Sequence, residues 1–409
     1  MRRGIIGLLF CAWTVVTPPA SGETLYGADG AQGNPSKLYT LDPASGAVLS
    51  TVGAIGFAVT GLAIHPATRV MYGATANKGM NSPRSLITIN KSTGSGSLVG
   101  PLSLPEGSQT LADLTFTSDG TLYGLGSLDG QLYTVNLASG AATMVGGSGV
   151  GPPAGGGLAA DPCDTIHVAP NSDQGLLFTL DRTTGAASPG PQLNGTSGNP
   201  LSAMAYSSAG TLYAALLDNS DSDVPAPASL VTINALTGDI AVVGPTVDRL
   251  DALVFDGQFA SPNPSLTLNL NRQAVGPGGL VQASLTAANP GGAGAVDLYF
   301  VILVPPATSS QLGCPGGDAV VFLADAFSTV LVECVSTAPV PSFEPLFRNV
   351  CLPAGLPPTT VPDFFSLTWP PGVPAGTYTF AMLATPAMAF AHGAIDITAF
   401  TEASLEASP

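Results

Sequence analysis

Charged side chains are the scarcest feature of this sequence. Asp, Glu, Lys and Arg make 9% of its 409 residues, with 11 basic against 27 acidic. Such a chain repels polyanions, which excludes nucleic acid as a partner. The same shortage of cations leaves little to hold the carboxylates of a quinone. No glycine-rich phosphate loop is present, since Gly155-Gly156-Gly157 leads into a strand-like run rather than a helix. Histidine occurs only at His65, His167 and His392, and no CxxC pair exists, which disfavours zinc. A GxSxG nucleophile elbow is also missing. Beyond the N-terminal segment, no apolar run is long enough for a transmembrane helix.

Turn chemistry is abundant instead. The 50 glycines and 37 prolines sit between regular apolar runs, where they act as turns rather than as low-complexity sequence. Arg2 and Arg3, the apolar stretch Gly4 to Val16 and the small residues Ala20-Ser21-Gly22 read as a secretory signal over 1–22, cleaved before Glu23. Its removal leaves nine basic and 27 acidic residues, a formal charge of −18. The expected location is the medium, the periplasm or the cell surface. Disulfides are permitted there among Cys163, Cys314, Cys334 and Cys351. Three connectivities exist, and Cys334–Cys351, across a proline-rich loop, is the candidate bridge.

One phrase organises the first two thirds of the chain: Leu-x-Thr-(Leu/Ile/Val)-(Asp/Asn)-x-x-(Ser/Thr)-Gly. It reads LYTLDPASG from Leu38, LITINKSTG from Leu86, LYTVNLASG from Leu132, LFTLDRTTG from Leu177 and LVTINALTG from Leu230. A period of 45–53 residues in strand-rich sequence marks the blades of a β-propeller. Each repeat holds four apolar runs, A to D. The A runs begin at Thr60, Ala112, Gly156, Ser202 and Asp251, and the phrase itself is run C. Alternation within C has the period of a strand, and the Asp/Asn and Gly that follow make a C–D turn. The array opens on runs B, C and D of one unit and closes on a lone A run, DALVFDG. That run completes the first unit, giving a five-bladed propeller with 1+3 strand closure and no free edge at the seam. Six blades with one degenerate repeat, or an open array, are the alternatives.

The phrase stops after Phe259. Residues 260–264 read as a linker, and seven or eight alternating runs over 265–409 predict an antiparallel immunoglobulin-like β-sandwich. The expected organisation is therefore all-β: signal peptide 1–22, propeller 23–259, linker 260–264 and sandwich 265–409.

The LYG…LYTLDxxSG…VG rhythm over residues 24–257 resembles bacterial secreted propellers of the broad quinoprotein-like and NHL-like group. PAGTYTFAMLATP, from Pro374 to Pro386, resembles the terminal strands of modules in bacterial surface proteins. The resemblance implies a propeller with an appended adhesive or spacer module, and it brings no catalytic residue.

Within 23–259 the only glutamates are Glu23 and Glu106, a poor basis for the acid pair of a glycosidase. His167 stands where other repeats carry Tyr. Asp113 and Asp251 lie at the starts of A runs, the strands that line a propeller channel, and form the candidate ligand-binding pair at one mouth. Asp218, Asp221 and Asp223, in an acidic B–C loop, are the candidate metal ligands, with calcium the candidate cofactor, although the Gly and distal Glu of an EF-hand are missing. The expected function is an exported, non-catalytic binding or scaffold protein with a glycan, cation or protein ligand. The alternative is an extracytoplasmic hydrolase or lyase using the channel-mouth aspartates with a divalent cation.

Overall fold

A computed structural model describes residues 23–30, 33–150, 156–170, 175–196, 199–218, 227–259, 262–334, 344–386 and 397–409. The chain divides into two compact units between Gln258 and Phe259. The first opens with β1 (Thr24–Asp29), β2 (Lys37–Leu41) and β3 (Val48–Ala54). Next come β4 (Val59–Ile64), β5 (Met71–Thr75), β6 (Ser85–Ile89) and β7 (Gly96–Pro101), then β8 (Leu111–Phe116), β9 (Leu122–Gly126), β10 (Gln131–Val135) and β11 (Ala142–Gly147). The series continues with β12 (Gly157–Ala160), β13 (Ile166–Ala169), β14 (Leu176–Leu180) and β15 (Ala187–Gln192). It ends with β16 (Leu201–Tyr206), β17 (Leu212–Leu217), β18 (Ala228–Ile233), β19 (Ile240–Pro245) and the single strand β20 (Leu250–Asp256).

Among the described residues these strands form five antiparallel four-stranded sheets. Four are sequential, and the remaining one runs β20-β1-β2-β3, with Phe255 opposite Leu25 and Leu253 opposite Gly27. The first strands of the sheets touch in a closed cycle: β20 to β4, β4 to β8, β8 to β12, β12 to β16, and β16 back to β20. A closed ring of radial four-stranded sheets is the β-propeller arrangement. Stacking explains the burial pattern. Middle strands such as β5 and β9 are buried along their whole length because a neighbouring sheet covers each face, whereas outer strands such as β3 are largely exposed. The cores lie between sheets: Leu38, Ile64 and Ile87 pack with Val254 in one, and Leu132 and Leu125 with Val168 in another.

The repeated phrase builds both a turn and a lock. In the second sheet the Asn90 carboxamide oxygen accepts the N–H groups of Ser92 (2.9 Å) and Thr93 (3.1 Å), and Asn136, Asp181 and Asn234 repeat the bond pattern. This turn then presses a carbonyl against the outer-strand glycine of the preceding sheet. A Cβ at Gly53 would stand 2.1 Å from the Thr93 oxygen, at Gly100 2.1 Å from Ser139, at Gly146 2.0 Å from Thr184, and at Gly244 2.1 Å from Ser45. The last contact joins the fifth sheet to the first, so the lock runs across the closure.

The second unit comprises β21 (Ser265–Leu270), β22 (Ala274–Val275), β23 (Leu280–Asn289), β24 (Gly294–Leu303), the short helix α1 (Pro306–Gln311), β25 (Ala319–Ala324), β26 (Thr329–Cys334), β27 (Phe347–Leu352), β28 (Leu356–Thr368), β29 (Gly376–Pro386) and β30 (Ala399–Ala407). One sheet runs β21-β23-β28; the other runs β22-β30-β29-β24-β25-β26, with β27 also on β24. Both supply one core, Leu268, Val281 and Leu285 packing with Val296, Phe300, Phe380 and Met382. Phe300 centres an aromatic cluster with Phe327, Phe364 and Phe365, at ring separations of 5.1–6.1 Å.

The disulfide expectation is corrected here. Cys334 bonds to Cys314, with Cα atoms 5.3 Å apart, and not to Cys351. The reason is topological: Cys314 precedes β25 and Cys334 ends β26, so their hairpin brings the two together, with Cys334 opposite Ala319. Cys351 lies on β27, opposite Ala295. β25 and β27 share one edge of β24 but pair with its opposite ends, at 300–303 and 294–298.

Candidate ligand site at the mouth of the inner ring

Three inner strands, β4, β16 and β20, carry a one-residue β-bulge at their first residues. In β4 the ladder steps from Val59 opposite Thr75 to Gly61 opposite Ala74, leaving Thr60 as the extra residue. Ser202 is the extra residue of β16, between Leu201 opposite Leu216 and Ala203 opposite Ala215. Asp251 is the extra residue of β20, between Leu250 opposite Asp29 and Ala252 opposite Ala28. A bulge re-aims its side chain out of the pleat. Here the aim is sideways, toward the next inner strand. The Thr60 hydroxyl donates to the Leu111 carbonyl at 2.8 Å, and the Ser202 hydroxyl to the Leu250 carbonyl at 2.5 Å.

Asp251 breaks this rule. An ionised carboxylate accepts hydrogen bonds but donates none, so it cannot serve a carbonyl of β4 as Thr60 and Ser202 serve theirs. Among the described residues its carboxyl makes no hydrogen bond or ion pair. It packs over Gly30, where a Cβ would come within 2.7–2.9 Å of the Asp251 side chain. It lines a cavity of about 330 Å³ with Gly33, Ala58, Val59, Thr60, Ala76, Asn77 and Lys78. Burial without a compensating donor raises the Asp251 pKa to about 7.

Asp113 differs in kind. It occupies the next column of the inner strands, with Gly61, Gly157, Ala203 and Ala252, where neighbouring backbones approach closely. A Cβ at Gly61 would meet the Leu114 nitrogen at 2.8 Å, and one at Gly157 the Met204 Cγ at 2.5 Å. Asp113 fits because backbone N–H groups receive it. Oδ1 accepts from Leu114 (2.8 Å), and Oδ2 from Leu158 (3.0 Å) and Met204 (3.5 Å), tying β8 to β12 and β16. Its side chain is fully buried. Desolvation holds the carboxyl well above its ordinary range, the backbone bonds oppose this, and the Asp251 charge adds to it. Asp113 does not line the Asp251 cavity. The two aspartates are thus electrostatic neighbours with separate tasks, one stitching the ring and one facing open space.

At the other end of β20, Asp256 receives Arg69 and Lys91 (2.7 Å), both from the second sheet. Glu23, beside it, accepts the Ser208 N–H from the fifth sheet at 2.7 Å. These bonds tie the first sheet to both neighbours. His167 is buried on β13 with Nδ1 3.1 Å from the Tyr206 hydroxyl, and burial lowers its pKa to about 4. Of the acidic loop, Asp221 and Asp223 lie outside the described residues; the Asp218 backbone N–H donates to the Pro227 carbonyl at 2.8 Å. Among the described residues no three His, Cys, Asp or Glu side chains group as metal ligands, and no helix is long and apolar enough to cross a membrane.

The bulge and the cavity were not foreseen from sequence, though stacking the five A runs places Thr60, Ala112, Gly156, Ser202 and Asp251 in one column where only Asp251 is ionisable.

No family model matches the chain, and no curated protein matches it. Several solved structures are similar. One is a Bacteroides thetaiotaomicron protein of unknown function, 16% identical, covering 47% of this chain and 53% of that one, so about half its length, with a TM-score of 0.36. Another is virginiamycin B lyase from Staphylococcus aureus, 13% identical over 56% of this chain and 80% of that one, with a TM-score of 0.31. A third is a gluconolactonase from Xanthomonas campestris, 12% identical over 59% of this chain and 86% of that one, with a TM-score of 0.37.

Proposed function

We propose that this chain is an exported, non-catalytic binding or scaffold protein whose first unit presents a small-ligand site at the Asp251 cavity. In this reading residues 1–22 are a signal peptide, 23–259 a five-bladed propeller closed 1+3 by β20, 260–264 a linker, and 265–409 an immunoglobulin-like spacer or adhesive module. The Cys314–Cys334 disulfide supports an oxidising compartment, and the β20-β1 pairing supports the closure. The observation that carries the functional reading is that Asp251 faces a cavity while every short bond of Asp113 goes to ring backbone. A hydrolase or lyase working through both aspartates needs two carboxyls converging on one substrate, and Asp113 is already occupied. A thermal-shift screen against sugars, amino acids and divalent cations tests the reading, because a native-state ligand raises the Tm with concentration. Calcium belongs in the panel for Asp218, Asp221 and Asp223. A shift lost in Asp251→Asn supports the site; turnover abolished by Asp113→Asn in a folded variant refutes it in favour of the enzyme.

A further inference from the structure

Asp251 is not the only charge at this cavity. Lys78 lines it as well. The two are not an ion pair, and Lys78, like Asp251, has no partner among the described residues. This is notable in a chain with 11 basic residues, where Arg69 and Lys91 are held by Asp256, Arg182 by Asp119 and Asp164, and Arg348 by Glu344. The backbone is closely packed at both residues, and the Lys78 side chain is exposed at the rim. Asp251 lies over Gly30, and the Lys78 carbonyl lies where a Cβ on Gly33 would come within 2.7 Å of it. The Met80 N–H donates to the Gly33 carbonyl at 3.1 Å, so the Gly33 segment is tied to the loop that carries Lys78.

We propose that the cavity binds a small zwitterion, an α-amino acid or short peptide, with its ammonium on Asp251 and its carboxylate on Lys78. The inference rests on reading this cavity as the ligand site. Opposite charges that face one space without pairing are complementary to a ligand carrying both, and each contact becomes a charge-assisted hydrogen bond. A lone amine forgoes the contact with Lys78, and a lone carboxylate leaves the desolvated Asp251 uncompensated. The remaining walls, Gly33, Ala58, Val59, Thr60, Ala76 and Asn77, offer no aromatic face on which a pyranose would stack. One carboxylate falls short of the several oxygen ligands a divalent cation takes.

The test is calorimetric titration of the chain from Glu23 onward at pH 7, where the probe ammonium groups are still mostly charged. The probes are L-alanyl-L-alanine, N-acetyl-L-alanine (anionic), L-alaninamide (cationic), maltose (neutral) and calcium chloride. The dipeptide is expected to bind at least tenfold more tightly than either singly charged analogue and than maltose. Asp251→Asn and Lys78→Gln, each checked for an intact fold by circular dichroism, are each expected to weaken it at least tenfold. Binding of maltose, calcium or a singly charged analogue that depends on Asp251 and matches or exceeds the dipeptide overturns the zwitterion but leaves the cavity as the ligand site. No binding by any probe overturns both.

Discussion

Asp251→Asn separates the cost of this carboxyl from its use. The folded pKa is about 7 against an ordinary value of 3.8. Between those pH values the native state binds more protons than the unfolded chain, so wild-type stability falls as pH rises from about 4 to about 7. Above pH 7 the penalty is complete. A shift of this size at 1.36 kcal/mol per unit corresponds to about 4 kcal/mol, an upper bound because the residue keeps some exposure. The Asn side chain is nearly isosteric and carries no charge at any of these pH values. The variant should therefore match wild type near pH 4 and exceed it by about 2–4 kcal/mol at pH 8. Relief of Asp113, whose own pKa is raised further by the Asp251 charge, acts in the same direction. Urea unfolding of both proteins at pH 4, 5, 6, 7 and 8 measures the difference. Parallel stability curves would show that Asp251 is solvated, and the desolvated-carboxyl argument would fail.

Three further outcomes follow from the packing. Gly100→Ala places a Cβ against the rigid Ser139 carbonyl and should cost about 1–3 kcal/mol, whereas Gly107→Ala, with nothing within 4 Å, should be nearly neutral; equal Tm values for the two contradict the lock. His167, with a folded pKa of about 4 against 6.5, is neutral in the fold, so its contribution is intact above pH 6.5 and is lost as pH falls through 4, by up to about 3 kcal/mol. His167→Phe should remove that acid slope while lowering stability at pH 7 by about 1–3 kcal/mol through the unpartnered Tyr206 hydroxyl, which urea unfolding at pH 4 and pH 7 detects. Peptide mapping under non-reducing conditions should recover Cys314 joined to Cys334, and replacing both by Ser should destabilise the second unit by about 3 kcal/mol, the value for a loop of this length.

Strand placement was legible in the sequence because period-two alternation and Asx-Gly turns are local signals. The C runs are β2, β6, β10, β14 and β18, and DALVFDG is β20. What escaped was set by contacts between sheets. The Gly of each phrase reads as a turn residue, and its positive φ agrees, yet in four of the five phrases the same turn also packs onto the outer-strand glycine of the preceding sheet. Asp113 reads as a mouth ligand because its column cannot be seen to be buried until five strands are brought into a ring. Cys334 reads as the partner of Cys351 because nothing local reports that β25 and β27 sit at opposite ends of β24. Bulges at Thr60, Ser202 and Asp251 leave no mark in a single run, and only their comparison shows an acceptor standing where donors are used.

The most direct measurement compares Asp113→Asn and Asp251→Asn in the same protein, by melting temperature and by titration with the ligand that the thermal-shift screen identifies. Asp113→Asn should lower the Tm by several degrees, because the amide nitrogen cannot accept the backbone N–H groups that the carboxylate serves. Asp251→Asn should keep or raise the Tm at pH 8 and lose the ligand. A melting temperature unchanged in Asp113→Asn, or full binding in Asp251→Asn, would contradict the division of labour between the two aspartates.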